Sequence, residues 1–325
     1  MKLMTRTALL AVAVTILGAL GGCQHQPARL ETLPAPDRSG APGAPPPAPG
    51  ARPAVLADHS GTVEDRLARL EEANARNAEA LDFLAKVYAQ QKEQQQAQER
   101  EEPADDAMFA VNIAEDLKAG QVDGPASAPV TIVKAFDFAC PYCQRVAGTL
   151  DELVKDYKGK VRVVYVNLVI HPPARPAHLA SCAAAKQHKY KEFKAAFWEK
   201  GYLPYATSSG QDPSSLGEDN ILVIAKGLGL DVARLKADMN GPECEARIER
   251  DKQELSKFHV NATPTFFVNG KHIGGALPKA EFQAIIDAQL KIAEASGVPG
   301  ADYYDKVVLA KGEKQFRSKM DPRPN

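Results

Sequence analysis

The sequence has almost no excess charge of either sign. Its 325 residues carry 40 Lys and Arg against 41 Asp and Glu, a formal net charge of −1. No stripe of basic residues is present that could neutralise several phosphates, which excludes a nucleic-acid partner. Apolar runs are short as well. The run from Ala8 to Leu20 falls below the length that crosses a bilayer comfortably as a mature helix. Cysteine is scarce, with five in the chain, and no pair of histidines has the spacing of a metal site. A chain of this length has room for one catalytic domain of roughly 150 to 200 residues plus appendages.

The short apolar run is informative in its place. Lys2 and Arg6 precede it and small residues end it, the make-up of a secretory signal peptide over residues 1–22. Its exit, Leu20-Gly21-Gly22-Cys23, resembles the lipobox of bacterial lipoproteins, in which the Cys becomes the lipidated first residue. This predicts a lipid anchor at Cys23, with the chain in the cell envelope facing the periplasm. Removing Cys23 leaves an even four cysteines, Cys140, Cys143, Cys182 and Cys244, as disulfide pairing in an oxidising compartment requires.

Residues 23–60 are dominated by Pro, Ala and Gly, as in Ala41-Pro42-Gly43-Ala44-Pro45-Pro46-Pro47. Such a segment cannot bury apolar surface and is expected to be a disordered tether with polyproline character. Over residues 61–100 the pattern changes. Val63, Leu67, Leu70, Asn74, Asn77, Leu81, Leu84 and Tyr88 alternate in steps of four and three, a heptad seam. The seam predicts a coiled-coil helix and a homo-oligomer through residues 63–91; the competing expectation is a helix folded back on its own globular domain. Asn at core positions would cost stability but fix register.

The globular part is expected from about residue 108 to 297, followed by a short helix and tail over 298–325. Val130-Thr131-Ile132-Val133 reads as a β-branched strand, and Pro141 opens a helix through about Tyr157. Val161 to Ile170 reads as a strand buried on both faces, ended by Pro172 and Pro173. A helical block of about 174–258 follows. Asn269-Gly270 then marks a hairpin between Thr265–Asn269 and Lys271–Gly275, and Pro278 to Ala295 reads as a closing amphipathic helix. Strand, helix, strand, helical block, hairpin and helix make an α/β fold with an insertion between its halves.

Cys140-Pro141-Tyr142-Cys143 sits at a strand-to-helix turn. A helix N-terminus offers free N–H donors and the positive end of its dipole, both of which stabilise a thiolate. Cys140 is therefore expected to attack and leave, and Cys143, one turn inside, to be more buried and to resolve the mixed disulfide. Zinc would need a second close pair of ligands, whereas Cys182 and Cys244 are single and far apart. No metal and no cofactor is called for.

Phe136-Asp137-Phe138-Ala139-Cys140-Pro141-Tyr142-Cys143 and Ala262-Thr263-Pro264-Thr265-Phe266-Phe267-Val268-Asn269-Gly270, in this order, resemble the thioredoxin superfamily and specifically DsbA-like periplasmic proteins. The resemblance covers roughly Val130 to Leu290. It implies a thioredoxin-like fold with a helical insertion, and thiol–disulfide exchange on exported proteins that carry cysteines. It also implies a membrane redox partner. Pro264 would be cis beside the redox pair, and Pro141, Tyr142, Thr263 and Pro264 would meet an extended substrate chain. The direction stays open among oxidase, isomerase and reductase. A coiled-coil envelope scaffold with a non-catalytic binding domain is the reading from another class.

Some relatives carry cysteines where Cys182 and Cys244 stand, which leaves a structural bridge or two buried free thiols. Many relatives hold an acidic residue six before the first Cys, where this chain has Lys134. That lysine either snorkels from a strand end or lies near the sulfurs and favours thiolate. Asp137 is assigned no catalytic role. His171 and His178 are expected to be surface or capping residues.

Overall fold

The computed structural model describes residues 59–323. The signal peptide, Cys23 and nearly all of the tether fall outside the described residues. The chain divides into two units, one ending at Glu72 and the other beginning at Ala73. In the first, Thr62 and Asp65 form a reciprocal cap: the Thr62 hydroxyl accepts the Asp65 N–H at 3.2 Å, and the Thr62 N–H reaches the Asp65 carboxylate at 2.9 Å. That cap opens α1, Val63–Glu101. No residue of α1 is buried, and Val63, Leu67, Leu70, Leu81, Leu84 and Tyr88 are each more than half exposed. Phe83 and Val87, which lie off the heptad seam, are exposed too.

The second unit builds a sheet. A short α2 (Ala114–Lys118) leads into β1 (Val122–Asp123), and β2 (Val130–Phe136) and α3 (Pro141–Asp156) follow. After β3 (Val161–Asn167) comes the helical block: α4 (Arg175–Ala185), α5 (Tyr190–Phe197), α6 (Leu203–Thr207), α7 (Glu218–Gly227), α8 (Val232–Met239) and α9 (Pro242–Ser256). The chain returns to the sheet as β4 (Thr265–Val268) and β5 (Lys271–Gly274), and closes with α10 (Lys279–Ala295) and α11 (Gly300–Tyr303). The order across the sheet is β1-β3-β2-β4-β5. β2 and β3 are parallel and the other pairs antiparallel.

β2 and β3 are buried along their whole length because both faces are covered. The two-residue period assigns the faces. Val130, Ile132 and Phe136 pack with α3, α10 and the helical block, whereas Val133 and Ala135 pack with Phe109, Val111, Leu255 and Tyr304. Lys134 therefore belongs to the α3 side by parity. At the hairpin Asn269 and Gly270 both take positive φ, 45° and 87°. A side chain at Gly270 would come within 2.9 Å of the Phe109 carbonyl, so only glycine fits. Asn269 also extends the edge of β2, its amide oxygen accepting the Thr131 N–H at 2.9 Å.

Three boundaries differ from expectation. β1 is two residues long, too short to leave a pattern in the sequence. β3 stops at Asn167 rather than Ile170, because the N–H groups of Ile170 and His171 turn to the Asp137 carboxylate at 2.6 and 2.7 Å. Packing also begins before residue 108, with Ala104 and Ala107 already buried.

Candidate active site

Residues 137–139 carry the chain from β2 into α3, and Cys140 is the N-cap of that helix. The Cys140 sulfur accepts the Cys143 N–H at 3.3 Å, and its thiol can donate to the Thr263 carbonyl at 3.2 Å. The Thr263–Pro264 peptide bond is cis. The helix start, the second cysteine and the loop before β4 thus converge on one sulfur. The hydrogen bond with Cys143 contributes most to its acidity. Burial opposes it, while Thr263 and the N–H groups of Cys143 and Tyr142 add to it, leaving Cys140 at about 6. Cys143 moves the other way. Burial pushes its thiol well above the usual range, its hydrogen bond with Cys140 adds to the shift, and Lys134 opposes it. Both sulfurs are buried, with the acidity of Cys140 raised and that of Cys143 lowered.

Lys134 is not a snorkelling strand-end residue. It is 1% exposed, and its Nζ donates to the Cys143 carbonyl at 3.1 Å. The rings of Phe136 and Tyr165 lie 6.0 and 5.8 Å from the same nitrogen.

Asp137 and His178 both hold the loop before Cys140. The Asp137 carboxylate is buried and accepts the N–H groups of Ala139, Ile170 and His171 at 2.7, 2.6 and 2.7 Å. It ties the loop before Cys140 to the end of β3. His178 is wholly buried rather than at the surface. Its Nε2 accepts the Phe138 N–H at 3.2 Å, so Nδ1 is the protonated nitrogen and donates to Asn167 Oδ1 at 2.8 Å. Asn167 in turn donates to Asp251 on α9 at 2.6 Å. This chain holds the cysteine turn to the helical block. His171 is partly exposed, as a capping residue would be, with its ring against Asp137.

Tyr142 is half exposed, and the Arg145 guanidinium lies 5.1 Å from its ring. From Phe138 an aromatic series runs through Trp198 and Tyr202 to Tyr205 in the helical block. Burial raises the Tyr202 pKa, and the charge of Cys140 adds to the shift. Only the contact of Phe138 with the block reveals Trp198 and Tyr202 as neighbours of the site, and no spacing in the sequence marks them. Cys182 on α4 and Cys244 on α9 form a disulfide with Cα atoms 5.7 Å apart. Among the described residues no cluster of His, Cys, Asp or Glu could hold a metal ion.

Residues 116–288, just over half of the chain, match the family model described as thioredoxin. The chain belongs to the thioredoxin family. Within that fold a helical block lies between β3 and β4, a cysteine pair opens α3, and a cis proline precedes β4. The thioredoxin-like oxidoreductase from Silicibacter pomeroyi DSS-3 is 30% identical, with 52% of this chain and 91% of that chain covered and a TM-score of 0.43. BdbD from Bacillus subtilis is 26% identical, covering 57% of this chain and 98% of that one, with a TM-score of 0.45. Among curated proteins, a Na(+)/H(+) antiporter NhaA of Herminiimonas arsenicoxydans is 31% identical over 184 residues, 57% of this chain and 28% of that protein. The chain spans under a third of the length of such relatives, and no helix among its described residues is long and apolar enough to cross a membrane.

Proposed function

We propose that the protein exchanges disulfides with exported proteins through Cys140 and Cys143. The observation that carries this reading is the asymmetry of the pair, a thiol near 6 at a helix N-cap above a second thiol held protonated by burial. The Cys140 thiolate attacks a substrate disulfide, or Cys140 is attacked by a substrate thiolate, and a mixed disulfide forms at this one sulfur. Cys143 lies within the same helical turn and resolves it. The Thr263 carbonyl lies 3.2 Å from the Cys140 sulfur, and Pro141, Tyr142 and Pro264 stand beside these two residues in the chain. An extended substrate segment pairing with that backbone would deliver its sulfur to Cys140.

Direction follows from which form is stabilised. A lowered Cys140 pKa and an adjacent buried ammonium favour the dithiol, so the disulfide form is the stronger oxidant. Disulfide formation or isomerisation is therefore favoured over reduction. The exposed heptad seam on α1 supports self-association, which would bring several such sites together as isomerisation of misbonded clients requires. The lipobox at Cys23 and the tether behind it support a lipid-anchored enzyme facing the periplasm, served by a membrane redox partner.

Trapping tests the reading. In cell envelopes carrying the Cys143→Ser variant, clients accumulate as mixed disulfides that disappear when Cys140 is also removed. An absence of Cys140-dependent adducts would leave a non-catalytic binding domain. Sedimentation at micromolar concentration checks the seam, with a monomer counting against it.

A further inference from the structure

Helix stability does not account for where α3 carries its charge. An α-helix favours acidic side chains in its first turn and basic ones in its last. α3 has no acidic residue in its first turn, and Asp151, Glu152 and Asp156 all lie in its second half. The first charged side chain of the helix is Arg145. Helical side chains lean toward the N-terminus, and this one does so, with its guanidinium 5.1 Å from the ring of Tyr142 one turn back. A cation thus lies over the turn that starts at Cys140, at the end of the helix that repels it.

Nothing inside the fold compensates. Arg145 is exposed and makes no ion pair among the described residues. The acids at the other end of α3 are partnered, since Lys279 on α10 meets Glu152 and Asp156 at 2.7 and 2.8 Å. A local rule broken without a partner in the fold marks a place shaped by function. Two anions come to this place: the Cys140 thiolate and whatever a client brings. The acidity of Cys140 is accounted for by Cys143, Thr263 and the N–H groups of Cys143 and Tyr142, without Arg145. Arg145 does reach the helical block that faces the cysteines. Burial raises the Tyr202 pKa, the charge of Cys140 adds to the shift, and Arg145 opposes it.

We propose that Arg145 is a specificity-determining residue, favouring client segments with an aspartate or glutamate next to the reacting cysteine. An extended client that sets its sulfur on Cys140 brings the neighbours of its cysteine over the first turn of α3. There the edge of the guanidinium can take a carboxylate through two N–H groups while its face stays on Tyr142. Because the ring already holds the guanidinium, less side-chain freedom is lost when the carboxylate arrives. The proposal rests on Cys140 being the sulfur that forms mixed disulfides with clients.

Matched peptides test it. Full-length protein carrying Cys143→Ser is mixed with the symmetrical disulfides of two peptides whose single cysteine has Asp or Asn as its neighbour. Cys140 keeps one peptide and the other leaves as a thiol, so the rate of mixed-disulfide formation is read directly. The same peptides meet protein with and without Arg145→Gln, and their own thiol acidity cancels in the comparison. The Asp-to-Asn rate ratio should be about three- to fivefold higher with Arg145 present at low ionic strength, and the difference should vanish near ~0.5 M salt. In Arg145→Glu the preference should pass to a peptide with Lys as the neighbour. Alkylation of Cys140 across pH is followed alongside. If Arg145→Gln slows both peptides equally and shifts that profile, Arg145 serves the thiolate and the proposal is overturned. An Asp-to-Asn ratio that ignores Arg145 overturns it too, and both results leave the redox pair in place. If neither peptide reacts with Cys140, the redox reading falls with it.

Discussion

Two pairs of cysteines share this domain, and they have opposite chemistry. Cys140 and Cys143 are three apart on one helical turn, with N–H donors aimed at the first sulfur and a buried lysine beside the second. Cys182 and Cys244 are separated by 62 residues, join α4 to α9, and form a disulfide within the apolar core of the helical block. The first pair is built so that one sulfur can carry charge; nothing comparable surrounds the second. What makes a cysteine pair reactive is the stabilisation of its thiolate, and what makes one structural is the length of chain it closes.

The comparison breaks first at the reacting sulfur. Cys140→Ser should reduce exchange with a disulfide substrate to the uncatalysed rate, measured by reactivation of a scrambled protein, with the domain still folded. The double change Cys182→Ala with Cys244→Ala should do the reverse. It is expected to cost ~2–4 kcal/mol of stability in denaturant, while exchange per folded molecule is retained. If it instead abolished exchange without unfolding the domain, the division between the two pairs would be wrong.

Asp137→Ala comes next. It leaves the N–H groups of Ala139, Ile170 and His171 without their acceptor, at a cost of about 3 kcal/mol, read from chemical denaturation. Because Asp137 shapes the loop before Cys140, this variant should also raise the Cys140 pKa, which Cys182→Ala with Cys244→Ala should not.

A smaller effect sharpens the same contrast through pH. Cys140 is lowered in the folded dithiol from 9.0 to about 6. A lowered pKa contributes stability that is full above the unfolded value and is lost as pH falls through the folded one. The melting temperature of the dithiol, relative to that of the Cys140–Cys143 disulfide, should therefore rise from pH 6 to 8 and be flat below 6. The Cys182–Cys244 bridge does not titrate and contributes no slope.

The elements that place Cys140 were legible because their signals are local. Val130 to Val133 carry a β-branched run, Pro141 sits at the first helical position, and Asn269-Gly270 can form only a tight hairpin. The resemblance of the Thr263-Pro264 segment placed the far wall of the site. The supports beneath it were not legible, since their partners are distant in sequence. Asp137 meets residues 33 and 34 positions away, and Asn167 meets Asp251 across 84. His178 reads as a polar residue near a strand end, and only folding of α4 onto the cysteine loop buries it. Lys134 misleads for a different reason: lysine type argues for exposure, while the strand it occupies is covered on both faces.

The central claim is that Cys140 and Cys143 interconvert between dithiol and disulfide while Cys182 and Cys244 do not. Equilibration with graded glutathione ratios, acid quenching, alkylation and peptide mass analysis reads all four sulfurs at once. Cys140 and Cys143 should convert together at a potential between those of thioredoxin and DsbA, roughly −270 and −120 mV, with Cys182–Cys244 intact throughout. Conversion of Cys182 and Cys244 in that range, with Cys140 and Cys143 remaining thiols, would contradict the account.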